Sequence, residues 1–206
     1  MTDNETSLDA VVIERSFDAP VDLIWQMWTV PEHFKAWYGP AGATIPMAKM
    51  DVRPGGQRLV CMEMASPNGP MRMWFSGEYV EVVEHERLVY TESMSDENGQ
   101  VSPANSGADG GHPTMTEVRV ELSDIGGRTK MRLTHTGIPE ESAGAAGWAM
   151  ALDSITDGGR IGGLQEDHAV TGLPLLKGNG PRSHVEKRVR AHHRASWFKH
   201  GPRMGP

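Results

Sequence analysis

The stretch from residue 16 to residue 42, SFDAPVDLIWQMWTVPEHFKAWYGPAG, constrains the fold more than any other part of the chain. It overlaps the β-prone segment Val11–Phe17 and then presents Pro20, a residue suited to a first helical turn. Apolar side chains recur after it at the spacing that lines one helix face: Val21, Ile24, Trp25 and Trp28. The pattern predicts a short amphipathic helix directly after the first strand.

A second short helix is predicted immediately afterwards. Thr29, with Glu32 three residues later, has the spacing of a capping box, and Pro31 is tolerated in a first helical turn. Gly39 and Pro40 then end this helix after about two turns. The chain therefore opens as strand, helix, helix.

The middle of the chain alternates β-prone segments with turn residues, and no helical period persists there. We predict strands at Thr44–Asp51, Gln57–Met64, Met71–Val83, Leu88–Ser93, Thr116–Leu122 and Thr129–His135. The segment Asp96–Pro113 has almost no apolar residues, so we expect it to be a mobile loop. This order predicts a meander of antiparallel strands.

A helical period returns after Pro139 and predicts a long C-terminal helix up to Asp157. The pattern places Glu140 and Glu141 in its first turn, and one face carries Ala145, Trp148, Leu152 and Ile155. Glycine is costly in a helix that faces only water. We therefore interpret Gly144 and Gly147 as places where the helix backbone approaches another element.

A series of short motifs occurs in order along the chain. They are FxAP at Phe17–Pro20, IWxxWTxPEH at Ile24–His33, WxGP at Trp37–Pro40, DxRPGG at Asp51–Gly56, GxYxEV at Gly77–Val82, ERLVYT at Glu86–Thr91 and GWxxALD at Gly147–Asp153. With these motifs the chain, over residues 8–157, resembles the SRPBCC (START-like) superfamily. Within it, the chain is similar to the family related to the C-terminal domain of the heat-shock-protein-90 ATPase activator.

The resemblance implies an α+β helix-grip fold. In that fold a curved antiparallel sheet of six or seven strands wraps around a long C-terminal helix, and two short helices follow the first strand. The predicted order of elements agrees with this architecture.

Charge divides the chain into two parts. Residues 158–206 carry nine Lys or Arg against three acidic residues, a net charge of +6, whereas the whole chain carries −7 and residues 1–157 therefore −13. An acidic body disfavours nucleic acid as its partner. We predict a disordered N-terminus at 1–7, a START-like domain at 8–157 and a disordered basic tail at 158–206. An altered reading frame near codon 154 would also explain the abrupt change of composition.

The residue patterns indicate no catalytic or metal centre. His85 and Glu86 begin like a zinc-protease motif, but the second His is missing, and neither a nucleophile elbow nor a phosphate-binding glycine loop is present. Cys61 is expected to be a buried core thiol, and His135 either a polar group of a pocket or a structural histidine. The tail histidines His168, His184, His192, His193 and His200 could bind metal, and the basic tail RNA or anionic lipid, but we predict neither. We expect no cofactor and no metal.

The N-terminus lacks the basic and apolar regions of a signal peptide, and no apolar run approaches the length of a membrane span. We therefore expect a cytoplasmic protein without membrane insertion.

The strands of the body are rich in methionine and aromatic residues, which adapt to apolar partners of different shapes. They are interpreted either as simple core filling or as the lining of a pocket. With the cavity that the helix-grip fold implies, they predict a non-enzymatic domain that binds a hydrophobic or amphipathic small molecule between the sheet and the C-terminal helix. The predicted ligand-binding residues are Trp37, Met62, Met64, Phe75, Tyr79, Tyr90, Leu133, Trp148 and Leu152.

Two other classes of function stay open. The resemblance also implies relatives that are polyketide cyclases or aromatases, although an acid and base pair for such chemistry is not evident here. A co-chaperone domain that binds a chaperone partner is the third class, and a homodimer partner is also open.

Overall fold

The computed structural model describes residues 9–101 and 114–156, which form an α+β fold with seven strands and three helices. The elements in chain order are β1 (Ala10–Phe17), α1 (Val21–Thr29), α2 (Pro31–Trp37), β2 (Thr44–Met50), β3 (Gln57–Met64), β4 (Met71–Val83), β5 (Arg87–Ser95), β6 (Thr116–Asp124), β7 (Thr129–Thr136) and α3 (Ala143–Thr156). This confirms the predicted helix-grip architecture. The predictions for residues 1–7, for 158–206 and for most of the loop before β6 lie outside the described residues.

The strands form one antiparallel sheet in the order β1-β7-β6-β5-β4-β3-β2. Strands from β2 to β7 pair with their neighbours in the chain, and β1 pairs with the last strand, β7. The predicted turns join them: Glu86 N–H donates to Val83 O between β4 and β5, and Ile125 N–H donates to Arg128 O between β6 and β7. The predicted bounds of β3 and β4 agree with the structure, and those of the other strands differ at their ends by one or two residues.

Helices α1 and α2 follow β1 as predicted, but the predicted capping box at α2 is wrong. Thr29 is the last residue of α1, and its Oγ1 donates to Trp25 O at 2.8 Å instead of capping α2. The N-cap of α2 is Val30, with no side-chain cap hydrogen bond, and Pro31 lies in the first turn as expected.

Helix α3 begins later than its sequence pattern predicts. The prediction that Glu140 and Glu141 lie in its first turn is wrong, because the helix starts at Ala143. Ser142 precedes it and caps it, since its Oγ accepts a hydrogen bond from Ala145 N–H at 3.2 Å. The Ser142 hydroxyl thus satisfies one of the N–H groups at the start of the helix that have no partner within it.

The two glycines of α3 differ in their surroundings. A Cβ at Gly144 would lie 3.3 Å from Ile138 Cδ1, so the helix comes close to the preceding loop there. A Cβ at Gly147 would meet nothing within 4 Å, so the expectation of a close approach at Gly147 is wrong.

The core lies between one face of the sheet and the three helices. On β7 the buried residues alternate with exposed Lys130 and Arg132, which identifies the inner face. Trp28 of α1 contacts Trp37 of α2 with ring centroids 4.7 Å apart and Trp148 of α3 at 5.9 Å. The three helices therefore join one another over the sheet through their tryptophans.

Candidate ligand-binding site

A row of polar residues crosses the inner face of the sheet where apolar residues would be expected. Arg58 of β3 pairs with Gly77 of β4. Since Ser76 pairs with Ser93 and Tyr79 with Tyr90, Gly77 lies opposite Glu92 of β5. Glu92 in turn pairs with Thr116 of β6. Residues that lie directly opposite in neighbouring strands point to the same face, so the register brings this row together.

Gly77 allows the two charged side chains of the row to meet. It stands between Arg58 and Glu92 and has no side chain to separate them. A Cβ at this position would lie 1.8 Å from Thr91 O, so the close approach of β4 and β5 also requires glycine. The structure therefore explains why the first residue of the GxYxEV motif, Gly77, is a glycine.

Arg58 and Glu92 form a buried ion pair. Arg58 Nη1 lies 2.5 Å from Glu92 Oε2, and the two side chains are 1% and 9% exposed. Burial is the largest effect on the pKa of the Arg58 guanidinium and lowers it, but the nearby Tyr90 hydroxyl and Glu92 carboxylate outweigh burial and raise this pKa. Arg58 is therefore charged, and Glu92 compensates it within the core.

Tyr38 joins this pair from the segment after α2. Its hydroxyl donates to Glu92 Oε2 at 3.4 Å. Burial and the negative charge of Glu92 raise the pKa of the Tyr38 hydroxyl, so the phenol keeps its proton and serves as a donor.

The network continues from Glu92 to helix α3. Thr116 Oγ1 donates to Glu92 O at 3.0 Å, and His135 Nε2 lies 2.8 Å from Thr116 Oγ1. Trp148 Nε1 donates to His135 Nδ1 at 2.8 Å. Since Nδ1 accepts, the proton of the neutral imidazole is on Nε2, which donates to Thr116. His135 is therefore a buried histidine with both nitrogens bonded, and burial lowers its pKa.

Two polar atoms at the Arg58 end of the row have no hydrogen-bond partner among the described residues: Arg58 Nε and the Tyr90 hydroxyl. They belong to one cluster, because the guanidinium carbon of Arg58 lies 4.1 Å from the centroid of the Tyr90 ring. Burial raises the pKa of Tyr90, so its hydroxyl is neutral. Buried polar groups nearly always have a partner, so these two atoms are available to a polar group that is not part of the described residues.

Next to this row the same face is apolar and partly exposed. Beyond Arg58 the cross-strand pairs are Val60 with Phe75, Met62 with Met73 and Met64 with Met71, and Phe75 also pairs with Met94. We call the methionine strip the residues Met62, Met64, Met71, Met73, Phe75 and Met94. Met71 is 47% and Met94 39% exposed, although the strip continues the face that carries the core.

The structure divides the predicted ligand-binding residues into two groups. Met62, Met64 and Phe75 belong to the methionine strip. Met62 is also buried in the core, as are all the others: Trp37, Tyr79, Tyr90, Leu133, Trp148 and Leu152. Two of these residues contact the ends of the polar network: the Tyr90 ring contacts the Arg58 guanidinium, and Trp148 donates to His135. That all nine contact a ligand stays a prediction.

Sequence reasoning missed Arg58, Glu92, Tyr38 and Thr116. Arg58 and Glu92 occupy positions that alternate with the core residues Val60 and Tyr90 of their strands, which was the available signal, but only the strand register shows that they meet. Cys61, by contrast, is buried as predicted, and burial raises the pKa of its thiol.

Two open concavities of the described surface lie elsewhere. One, of about 650 Å³, is lined by residues 84–87 and 121–124 together with Val21. The other, of about 360 Å³, is lined by residues of β2, β3 and the turn before β4. No residue of the predicted ligand-binding set lines either of them.

Two further features concern metals and membranes. Within residues 9–101 and 114–156, no three His, Cys, Asp or Glu side chains are grouped so that they could hold a metal ion. None of the described helices is long and apolar enough to cross a membrane.

The seven-stranded antiparallel sheet, with α3 packed on its inner face, defines a helix-grip domain of the α+β class. The family model described as Activator of Hsp90 ATPase homolog 1-like protein matches residues 18–157, and the chain belongs to this family. The match confirms the resemblance drawn from the sequence motifs.

Solved structures show the same fold. A crystal structure from Nitrosomonas europaea is 21% identical, with a TM-score of 0.61, and the match covers 80% of this chain and 99% of the other. An NMR structure from Arthrobacter aurescens is 21% identical, with a TM-score of 0.59 and coverages of 84% and 98%. The AHSA1 protein of Silicibacter pomeroyi is 16% identical, with a TM-score of 0.57 and coverages of 77% and 99%. A search of curated proteins found no match.

Proposed function

We propose that this domain binds a hydrophobic or amphipathic small molecule on the inner face of its sheet, and that it does so in the cytoplasm without catalysing a reaction. The observation that carries the proposal is the methionine strip next to a buried polar cluster with two unpartnered atoms. The strip offers soft apolar contacts, and the cluster offers a point of polar recognition.

The position of the strip refines where the ligand lies. Trp148 of α3 contacts Trp28, Tyr38 and His135, so the part of the inner face near α3 is filled by its own side chains. Met71 and Met94, in contrast, are half exposed. We therefore place the ligand over β3, β4 and β5, with its polar end toward Arg58 and Tyr90, and not between the sheet and α3, where it was predicted from the sequence.

The geometry favours binding over catalysis. A cyclase-like enzyme needs an acid or base available to its substrate. Both nitrogens of His135 are engaged by Thr116 and Trp148, and Glu92 is engaged by Arg58 and Tyr38. These groups bond to one another and are therefore not available as an acid or base for a substrate. The co-chaperone hypothesis and the homodimer remain open alternatives.

Titration with the neutral fluorescent probe N-phenyl-1-naphthylamine tests the proposal. We expect saturable binding with a defined stoichiometry and a melting temperature that rises with probe concentration, because a ligand of the native state stabilises it by mass action. Met71→Gln should lower the affinity for the probe, whereas Met150→Gln should leave it unchanged. Met150 is a matched control because it is exposed to a similar degree on α3.

Native mass spectrometry of freshly purified protein should also reveal a small molecule that copurifies. Equal probe affinity of the two methionine variants would contradict binding at the methionine strip. Probe binding without saturation would contradict a defined site altogether.

A further inference from the structure

We infer that the buried Arg58–Glu92 pair sets the chemical class of the ligand, and that the group recognised at the polar cluster is an uncharged hydroxyl or carbonyl rather than a carboxylate, phosphate or amine. The inference rests on the proposed function and names the head group that this site accepts.

Charge balance excludes ionic head groups. Arg58 and Glu92 neutralise each other inside the core. An added anion would be attracted by Arg58 but repelled by Glu92, and it would leave one negative charge uncompensated in a buried place. An added cation would be attracted by Glu92 and repelled by Arg58, and it would leave one positive charge uncompensated. Burying an uncompensated charge costs far more than burying a neutral polar group.

The unpartnered atoms then select among neutral groups. Arg58 Nε carries a hydrogen and can only donate, so the ligand must present an acceptor. The Tyr90 hydroxyl is protonated and can donate or accept. A hydroxyl or carbonyl oxygen meets both requirements, whereas a hydrocarbon leaves both atoms unsatisfied.

The strand register places an apolar chain beside this head group. Arg58, Val60, Met62 and Met64 lie on the same face of β3, and the six residue steps from Arg58 to Met64 span about 20 Å. A ligand with its oxygen at Arg58 and Tyr90 would therefore extend its apolar part along the methionine strip.

A matched series of eight-carbon probes tests this inference on the full-length protein: octan-1-ol, octan-2-one, octanoate and octylammonium. We expect isothermal titration at neutral pH to show the alcohol and the ketone binding at least about tenfold more tightly than either ion. Glu92→Gln removes the negative charge and leaves Arg58 uncompensated. In this variant the ratio of octanoate to octan-1-ol affinity should rise by about tenfold or more.

The outcomes separate the two proposals. If octanoate or octylammonium binds the wild type as tightly as octan-1-ol, the head-group inference is overturned and small-molecule binding stands. If none of the four probes binds, both proposals are overturned. An unchanged ratio in folded Glu92→Gln, with folding checked by circular dichroism, also overturns the inference. If this variant does not fold, the wild-type series alone decides.

Discussion

The indole N–H of Trp148 donates a 2.8 Å hydrogen bond to Nδ1 of His135 and thereby links helix α3 to strand β7. This bond requires a neutral imidazole, because a protonated ring would present a second donor to the indole N–H. The register of the sheet extends the link through Thr116 to Glu92, where the proposed head-group site begins. Helix docking and the polar row are thus parts of one network.

The first prediction is that His135 makes stability depend on pH. Burial lowers its pKa in the folded state from the ordinary value of 6.5. The unfolded chain therefore binds a proton at a higher pH than the folded protein does, and the free energy of unfolding decreases as the pH falls from above 6.5 toward the folded pKa. Urea unfolding between pH 8 and pH 5 measures this decrease.

A histidine substitution provides the control for that measurement. His135→Gln should be less stable at pH 8 but should show a shallower loss toward pH 5. Parallel curves for wild type and His135→Gln would contradict the assignment.

A second prediction concerns the packing of α3. Trp148→Ala should lower the free energy of unfolding by about 3 to 5 kcal/mol, because it deletes a large buried aromatic side chain. Trp148→Phe keeps a ring against Trp28 but leaves His135 Nδ1 without its donor, which should cost about 1 to 3 kcal/mol. Met150→Ala, on the exposed side of the same helix, should change stability by less than about 0.5 kcal/mol. A cost for Trp148→Ala as small as that of Met150→Ala would place the indole outside the core.

The framework of the fold was predictable from local patterns. Segments of alternating polarity between turn residues predicted the strands. The spacing of Trp25 and Trp28 predicted α1, and that of Trp148 and Leu152 predicted α3. Cap positions were less predictable. Thr29 and Ser142 both have side chains that can cap a helix. Only Ser142 caps the helix that follows it, whereas the Thr29 hydroxyl bonds back to Trp25 O within α1.

The polar row was not predictable for a different reason. Arg58 and Glu92 are 34 positions apart in the chain, and their contact depends on the registers of β3, β4 and β5 together. A single-residue slip of β3 or β5 would move one of the two side chains to the outer face, and a slip of β4 would replace Gly77 between them by another residue. Local composition contains no information about that register.

A third prediction uses the two glycines of α3. Gly147→Ala should stabilise the protein by about 0.5 to 1 kcal/mol, because alanine restricts the unfolded chain and its Cβ meets nothing within 4 Å. Gly144→Ala should stabilise less or destabilise, since its Cβ would press on Ile138 at 3.3 Å. Thermal unfolding of the two variants measures the difference. Equal shifts would show that the approach of Gly144 to Ile138 has no energetic effect.

The last prediction concerns the buried ion pair. Arg58→Met should cost about 3 to 5 kcal/mol, because it leaves Glu92 buried without its counter-charge. Adding Glu92→Met should recover a large part of that loss, since two apolar side chains of similar length replace the pair. Arg53→Met breaks an exposed pair with Asp51, whose side chains are 67% and 50% exposed, and should cost less than about 1 kcal/mol. Urea unfolding of the wild type, Arg58→Met, Glu92→Met and the double variant forms a double-mutant cycle, and Arg53→Met is its exposed control. Strictly additive losses from Arg58→Met and Glu92→Met would show that the two side chains are not coupled, and the charge balance on which the head-group inference depends would be lost with them.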